Sequence, residues 1–393
     1  MTNDERREKR YQRRVQKRNE KKMKKVSAYN DFDKVMSYKN LYKAYKHCRK
    51  GVAWKKSVQA YITQAPLNVY ETFCLLQQGK YKPPGFYEFD IKERGHDRHI
   101  KSTGIKERVV QNCDCDNALV PALQRTLVYE NGASMKNKGY TFHVNLITRH
   151  LREHFQQHGT DGYILIFDFS KFFDNIEHSL VKGNVYKEIS DPRLLRLNDQ
   201  FVDAFGEKGM GLGSQTSQIS AVAAPNKLDH FIKEKLHIRG YARYMDDGYL
   251  ISTSKYYLQN CLKQIESVCT ELGLVLNKKK THIVKLTHGF TWLKVRFFLT
   301  NTGKIVRKIC KASITRERRK LKKLRKKLDE GVLTLSDIQQ SFQSWKAYAN
   351  TFNAYHTIQN MEQLFKQLFF EEIFNEIYGI DVRQWLYSQC GCS

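Results

Sequence analysis

The 393 residues predict an α+β fold: a small acid-bearing sheet set between helical segments, with a basic extension at the N-terminus. Three observations predict it. The run Gly162-Tyr-Ile-Leu-Ile-Phe-Asp168 is apolar at successive positions, as a strand covered on both faces must be. Tyr241 to Ser252 (YARYMDDGYLIS) reads as two short strands joined at Asp246-Asp247-Gly248. Apolar side chains recur at helical spacing on either side of these segments. With 41% hydrophobic and 12% aromatic residues the chain can bury a core, which excludes wholesale disorder, and its length suits two or three domain-sized units.

In chain order, residues 1–25 carry twelve Lys or Arg against four Asp or Glu and almost nothing apolar, so they form a frayed helix or a disordered basic arm, not a core. From Asp31 to Leu76 the spacing of Tyr42, Tyr45 and Val52, then Tyr61, Val69, Phe73 and Leu76, predicts helices, and Pro83-Pro84-Gly85 ends that unit. Residues 86–111 alternate about a Gly-containing turn and are dense in basic side chains, the pattern of a β-hairpin suited to touching phosphate. Helix is predicted between about Ser179 and Phe205. The cluster Gly209-Met-Gly211-Leu-Gly213 is then a flexible turn feeding a helix of small residues. Lys255 to Leu272 is amphipathic, and Gly273 is placed to cap it. Residues 311–330 hold ten Lys or Arg against three acids around a stripe of Ile314, Leu321, Leu324 and Leu328, a helix that packs on one side and offers cations on the other. Thr334 and Asp337 have capping-box spacing ahead of a second helix, and Met361 to Ile377 suggests a third.

Lys plus Arg number 68 against 40 Asp plus Glu, so the formal charge is 68 − 40 = +28 and the expected partner is a polyanion. The blander reading is a solvated surface or a polybasic membrane face. No run of about 18 apolar residues occurs, and the N-terminus lacks the apolar core of a signal peptide, so the expectation is a cytoplasmic protein with no membrane partner. Nine scattered cysteines fit reduced thiols. Cys113 and Cys115 with Cys390 and Cys392 would supply four thiolates to zinc, but the spacing is tighter than the usual Cys-x2-Cys and the pairs lie at opposite ends of the chain.

A nucleic-acid partner together with strands that end in acids points to carboxylates holding divalent metal at a phosphoryl-transfer centre. Mg2+ takes oxygen ligands and fills its other positions with water or substrate phosphate, so Asp168, Asp246 and Asp247 suffice, with Mn2+ as the substitute ion. Taken singly, Asp-Asp-Gly is an ordinary turn and Asp168 an ordinary helix cap. Three clustered carboxylates repel one another without a cation, so structure alone gives little reason to gather them.

These motifs resemble those of the reverse transcriptases, over about residues 35–370. Tyr244-Met-Asp246-Asp247 looks like the family's catalytic turn, and Asp168-Phe-Ser-Lys-Phe-Phe-Asp174 like the strand bearing its first metal ligand. Gly273-Leu-Val-Leu-Asn277 with Lys280-Thr281 is similar to the next motif, whose lysine lies near the incoming triphosphate and protonates the leaving group. Phe290 to Phe297 stands where the primer-grip hairpin falls, with Lys294 in place of the glycine of many relatives. The resemblance implies a right-hand polymerase fold: a basic arm (1–30), N-terminal helices and fingers (31–161), a palm (162–300, with 179–225 shared between fingers and palm), and a helical thumb and tail (301–393). It implies that Arg98 and Arg108 hold the triphosphate, with Lys92, Arg94 and Lys106 as alternatives. Phe173 aligns with the steric gate that excludes a 2′-hydroxyl, and Phe169, Leu212, Gly213 and Gln218 complete the nucleotide site.

The glycine turn refines the subfamily. Many reverse transcriptases carry Gln-Gly followed three residues on by Ser-Pro, whereas Leu212-Gly213-Ser-Gln-Thr-Ser217-Gln218 has Leu and Gln at the two diagnostic places. That looks like the compact bacterial branch of diversity-generating retroelements and unassigned, often phage-defence, enzymes, and loss of the amide implies reduced fidelity. The expected partners are template RNA, in the form of a dedicated structured non-coding RNA, the primer and its cDNA product, and dNTPs. A homo-oligomer or an accessory protein stays open. The rival readings are a catalytically silent RNA-binding scaffold that keeps the fold, and a two-metal nuclease relying on His178 or His282.

Overall fold

The computed structural model describes residues 3–93 and 95–379, in two compact units. The first comprises residues up to Ile147, Leu165–Ser252 and Tyr256–His282; the second comprises Thr148–Ile164, Thr253–Lys255 and everything from Ile283 onward. Arg94, Cys390 and Cys392 lie outside the described residues. No described helix is long and apolar enough to cross a membrane.

In the first unit, α1 (Asn3–Tyr29) resolves the choice left open for the basic arm: its described portion is a regular helix. It is anchored at its C-terminal end. Tyr29 is buried under Arg125, and Asn30 bonds Ser190 and the backbone N–H of Asp191. Short helices follow: α2 (Phe32–Val35), α3 (Tyr38–Cys48), α4 (Lys56–Thr63) and α5 (Ala65–Gln77). Their apolar faces close one core around Val35, Leu41, Val69 and Leu119.

The antiparallel hairpin β1 (Phe86–Glu93) and β2 (His96–Thr103) ends earlier than alternation suggested, because Ile105 starts the helix α6 (Ile105–Asp114). Gly104 breaks the strand, and Val109, Val110 and Cys113 then fall on one buried helical face. A π-turn (Cys115–Leu119) and α7 (Val120–Leu123) lead to α8 (Tyr140–His158) and β3 (Tyr163–Asp168), each of which begins in one unit and ends in the other. Five of the six residues of β3 are buried, Ile164 to Phe167 among them, which explains its unbroken apolar run.

After β3 come α9 (Phe172–Asn175), α10 (His178–Tyr186) and α11 (Pro192–Asp203), so the helical stretch expected from about Ser179 to Phe205 is made of two pieces. Asp191 caps the second piece and Pro192 opens it. The glycine turn feeds α12 (Gln215–Ala223), then α13 (Asn226–His230), and the hairpin β4 (Tyr241–Tyr244) and β5 (Asp247–Ser252). Within this unit the strands lie in the order β4-β5-β3. Helix α14 (Lys255–Glu271) ends where Gly273 adopts φ +68°.

The second unit contains β6 (His282–Lys285) from Ile283 on and a three-stranded antiparallel sheet, β7 (Phe290–Trp292), β8 (Val295–Leu299) and β9 (Ile305–Ile309). The two-residue loop Leu293-Lys294 joins β7 to β8 with both residues at positive φ, the backbone of a tight hairpin usually built from Asn-Gly. β9 pairs with β8, so Phe290–Phe297 belongs to the same sheet as β9 in this unit. The C-terminal helices are α15 (Lys311–Asp329), α16 (Leu335–Ala349), α17 (Tyr355–Leu368) and α18 (Phe370–Tyr378). Thr334 and Asp337 form the reciprocal capping box. A break at Phe369 makes two helices of the segment expected as one, and Leu321, Ile338, Met361 and Phe369 form their core.

Candidate active site

Asp168 is the last residue of β3 and only 3% exposed. Its backbone carbonyl accepts the Asn277 N–H at 2.7 Å, while the Ser170 N–H donates to Val275 at 2.7 Å. The segment after Gly273 therefore runs along the end of β3 and delivers Lys280, whose Nζ lies 2.8 Å from Asp168 Oδ2, and Asn277, whose Nδ2 lies 3.3 Å from Oδ1. Two residues that sit a hundred positions downstream thus hold one carboxylate.

The other two acids ride on β4 and β5. Tyr244 pairs with Asp247, so Met245 and Asp246 make a two-residue loop with Met245 at φ +58°. A non-glycine residue in that region costs roughly 1 kcal/mol or more and persists only where its surroundings over-determine it. Gly248 lets β5 approach β3: a Cβ there would sit 2.2 Å from Phe167 Cζ. Close strand packing brings Asp247 within hydrogen-bonding reach of Asp168.

Electrostatics follow from this crowding. Burial first, then the charges of Asp246 and Asp168, push Asp247 up to about 7 against the pull of Lys280. Burial and Asp168 raise Asp246 as well, and the bond to Asp168 raises Lys280. Among the described residues no three His, Cys, Asp or Glu side chains stand as a ready-made metal cage. Lys280 supplies the counter-charge to Asp168, and the set remains one cation short of neutralising three carboxylates.

The glycine turn is wedged between this centre and the hairpin. Gly209 and Met210 donate to the carbonyls of Ile176 and Phe173 at 2.9 and 2.7 Å, and Leu212 accepts from the Lys101 N–H at 3.1 Å. A Cβ on Gly209 or Gly213 would meet the backbone of Asp174 or Lys101 at 2.9 or 3.0 Å, and both glycines have positive φ. Leu212 is half-buried against β2. Beyond it opens a cavity of about 330 Å³ lined by His47, Arg108, Gln111, Gly213, Gln215 and Gln218 among others.

Arg108 is thus beside Gly213 and Gln218, its Nη2 donating to Ser102 Oγ and the Thr103 carbonyl. Arg98 stands apart from that cavity lining, near the turn of the hairpin and ion-paired with Glu93 at 3.2 Å. Lys92, an alternative, faces Asp97 across the strands. Phe173 is half-buried, edge-on to Phe172. Phe169, expected at the nucleotide, is 2% exposed with its ring stacked on Phe172 and its backbone bridged to Leu276, so its ring belongs to the core.

Residues 104–297 match the family described as reverse transcriptase (RNA-dependent DNA polymerase). That segment is similar to a reverse transcriptase domain. Members of that family are, by class, RNA-directed DNA polymerases, which are nucleotidyltransferases. Among solved structures, telomerase from Candida albicans, in complex with a TWJ fragment of telomeric RNA, is 14% identical with a TM-score of 0.50, over 77% of this chain and 56% of that one. At that identity the likeness shows the fold alone: the right-hand polymerase fold with a helical thumb. Two apo telomerase structures from Candida tropicalis, one truncated from its C-terminal domain, reach 15% and 13% identity at TM-scores of 0.43. They cover 56% and 62% of this chain and 47% and 60% of theirs, so the chain spans about half the length of these telomerases. No curated protein matches.

Sequence reasoning missed one residue of this centre. Arg243, in the middle of β4, is fully buried beneath the Asp246–Asp247 turn and ion-paired with Asp229 of α13 at 2.6 Å. The available signal was a charged residue inside an otherwise apolar strand; its partner gave none.

Proposed function

We propose that the protein extends a primer on an RNA template by adding dNTPs. The observation that carries this reading is that Asp246 and Asp247 stand close enough to Asp168 for its charge to raise both, with Lys280 the cation bonded to Asp168. Such a donor set, all carboxylate oxygen, suits a hard divalent cation, and magnesium is the ion we assign, with Asp168 and Asp246 as ligands and Asp247 in support. When bound, the metal lowers the pKa of the attacking hydroxyl and stabilises the leaving pyrophosphate.

The chain's own residues do the rest. The primer 3′-oxygen attacks the α-phosphorus, the bond to pyrophosphate breaks, and Lys280, already charged beside Asp168, is positioned to give the leaving group its proton. Arg108 offers a guanidinium fork to phosphate from the wall of the cavity. Phe173 lies beneath the sugar and excludes a 2′-hydroxyl. The basic face of α15 and the arm α1 attract the template, and the departure from Gln-Gly at Leu212-Gly213 supports a compact bacterial enzyme of the retroelement or phage-defence branch, working in the cytoplasm on its own non-coding RNA.

Replacing Asp246 and Asp247 together by Asn tests the reading. Primer extension should vanish while affinity for RNA stays within about twofold, since neither carboxylate holds the template. Extension that survives removes the assignment, and a silent scaffold is left if the parent protein binds RNA yet extends nothing.

A further inference from the structure

Arg243 spends four of its five N–H donors, all away from water. Nε and Nη2 donate to the two oxygens of Asp229 at 2.8 and 2.6 Å; Nη2 also donates to the Val222 carbonyl at 2.9 Å, and Nη1 to the Met245 carbonyl at 2.7 Å. Asp229 in turn accepts from the Tyr241 hydroxyl and from Asn131 Nδ2, which bonds Val222 as well. Both charged side chains are wholly inaccessible.

A buried ion pair is weak evidence for stability, because desolvating two charges costs about as much as their attraction returns. The two bonds that leave the pair say more. One reaches the carbonyl of Met245, the left-handed residue immediately before Asp246. The other reaches Val222 in the last turn of α12, the helix that the glycine turn feeds. A single rigid fork therefore ties the acid-bearing turn to the helix behind the nucleotide cavity. A lysine could neutralise Asp229 but has no planar fork with which to satisfy both carbonyls and both carboxylate oxygens.

We propose that Arg243 is a positioning residue for the polymerase reaction: its guanidinium, held by Asp229, fixes the Met245 carbonyl and so sets where Asp246 and Asp247 stand relative to Asp168. This rests on the polymerase reading given above. It separates from a purely structural role because Arg243→Lys keeps the charge opposite Asp229 while removing the fork that reaches the Met245 carbonyl.

Two variants decide it. Arg243→Lys keeps the charge opposite Asp229. Arg243→Met with Asp229→Asn removes both charges together, and the Asn amide oxygen can still accept from the Tyr241 hydroxyl. We expect the double variant to fold, and both variants to lose about 100-fold in kcat with KM for dNTP within about threefold, the scale of a 1 Å misplacement of reacting groups. Amide exchange in the peptide 241–250 should quicken about tenfold in both. A double variant with parental kcat overturns the proposal; if that variant does not fold, parental kcat in Arg243→Lys does so equally. Should the parent itself fail to extend a primer, the polymerase reading falls, and unchanged exchange in 241–250 would separately overturn the clamp.

Discussion

Substituting alanine for Gly248 should damage catalysis through one methyl group. An added Cβ would sit 2.2, 2.5 and 2.9 Å from Cζ, Cε1 and Cε2 of Phe167, where ordinary contact begins at 3.4 Å. The gap must open by about 1.2 Å (3.4 − 2.2). The ring cannot swing away: Phe167 is fully buried and packs edge-on to Phe169 at 5.8 Å. The strands must part instead, and β5 carries Asp247 beside Gly248 while β3 carries Asp168 beside Phe167. Overpacking of this size costs about 1 to 3 kcal/mol, which at about 2 kcal/mol lowers the melting temperature by roughly 4 to 8 °C. Displacing the acids by about 1 Å should slow extension about 100-fold. Differential scanning fluorimetry and primer extension read the two effects. Trimming the ring in Gly248→Ala with Phe167→Leu should recover part of both. Gly248→Ala with a parental melting temperature and parental extension would refute the close approach of β5 to β3 as the determinant of acid geometry.

Because the folded-state pKa of Asp247 is raised to about 7 and that of Asp246 is raised too, the folded protein holds protons that the unfolded chain has released. In EDTA, the parent's melting temperature should fall relative to Asp246→Asn/Asp247→Asn as pH rises from about 4 to about 7, then run parallel; parallel profiles throughout would contradict the crowding of the acids. Phe173→Val should narrow discrimination between dNTP and rNTP by about 10- to 100-fold in kcat/KM, with dNTP use little changed. Unaltered selectivity would return Phe173 to the core beside Phe172.

The residues that could be read from sequence are those whose chemistry dictates both type and place. Asp168 closes an apolar run, Asp246-Asp247 interrupts another, and Lys280 follows a glycine-capped helix; each departs from its surroundings along the chain. Where the local pattern misled, a distant partner had settled the matter. Alternation through residue 111 looks like strand until Val109, Val110 and Cys113 are seen to share one buried helical face. The hairpin Phe290–Phe297 pairs with β9, a partner that its own local pattern does not reveal. Phe169 reads as a nucleotide contact from its place next to Asp168, whereas ring stacking on Phe172 takes it inward.

Arg243 is the sharpest case, since a lone arginine in a strand normally marks a solvent-facing position. Only Asp229, on a helix whose own pattern is unremarkable, makes its burial tolerable. The same logic explains why the acids themselves stand out. Asp168 needs Lys280 and Asn277 to be buried at all, and Asp246 and Asp247 stay half-buried with their pKa values raised, a state that costs the fold free energy in the absence of a cation. A sequence optimised for stability alone would have replaced them, so the conflict between local environment and residue type marks the site in the sequence itself.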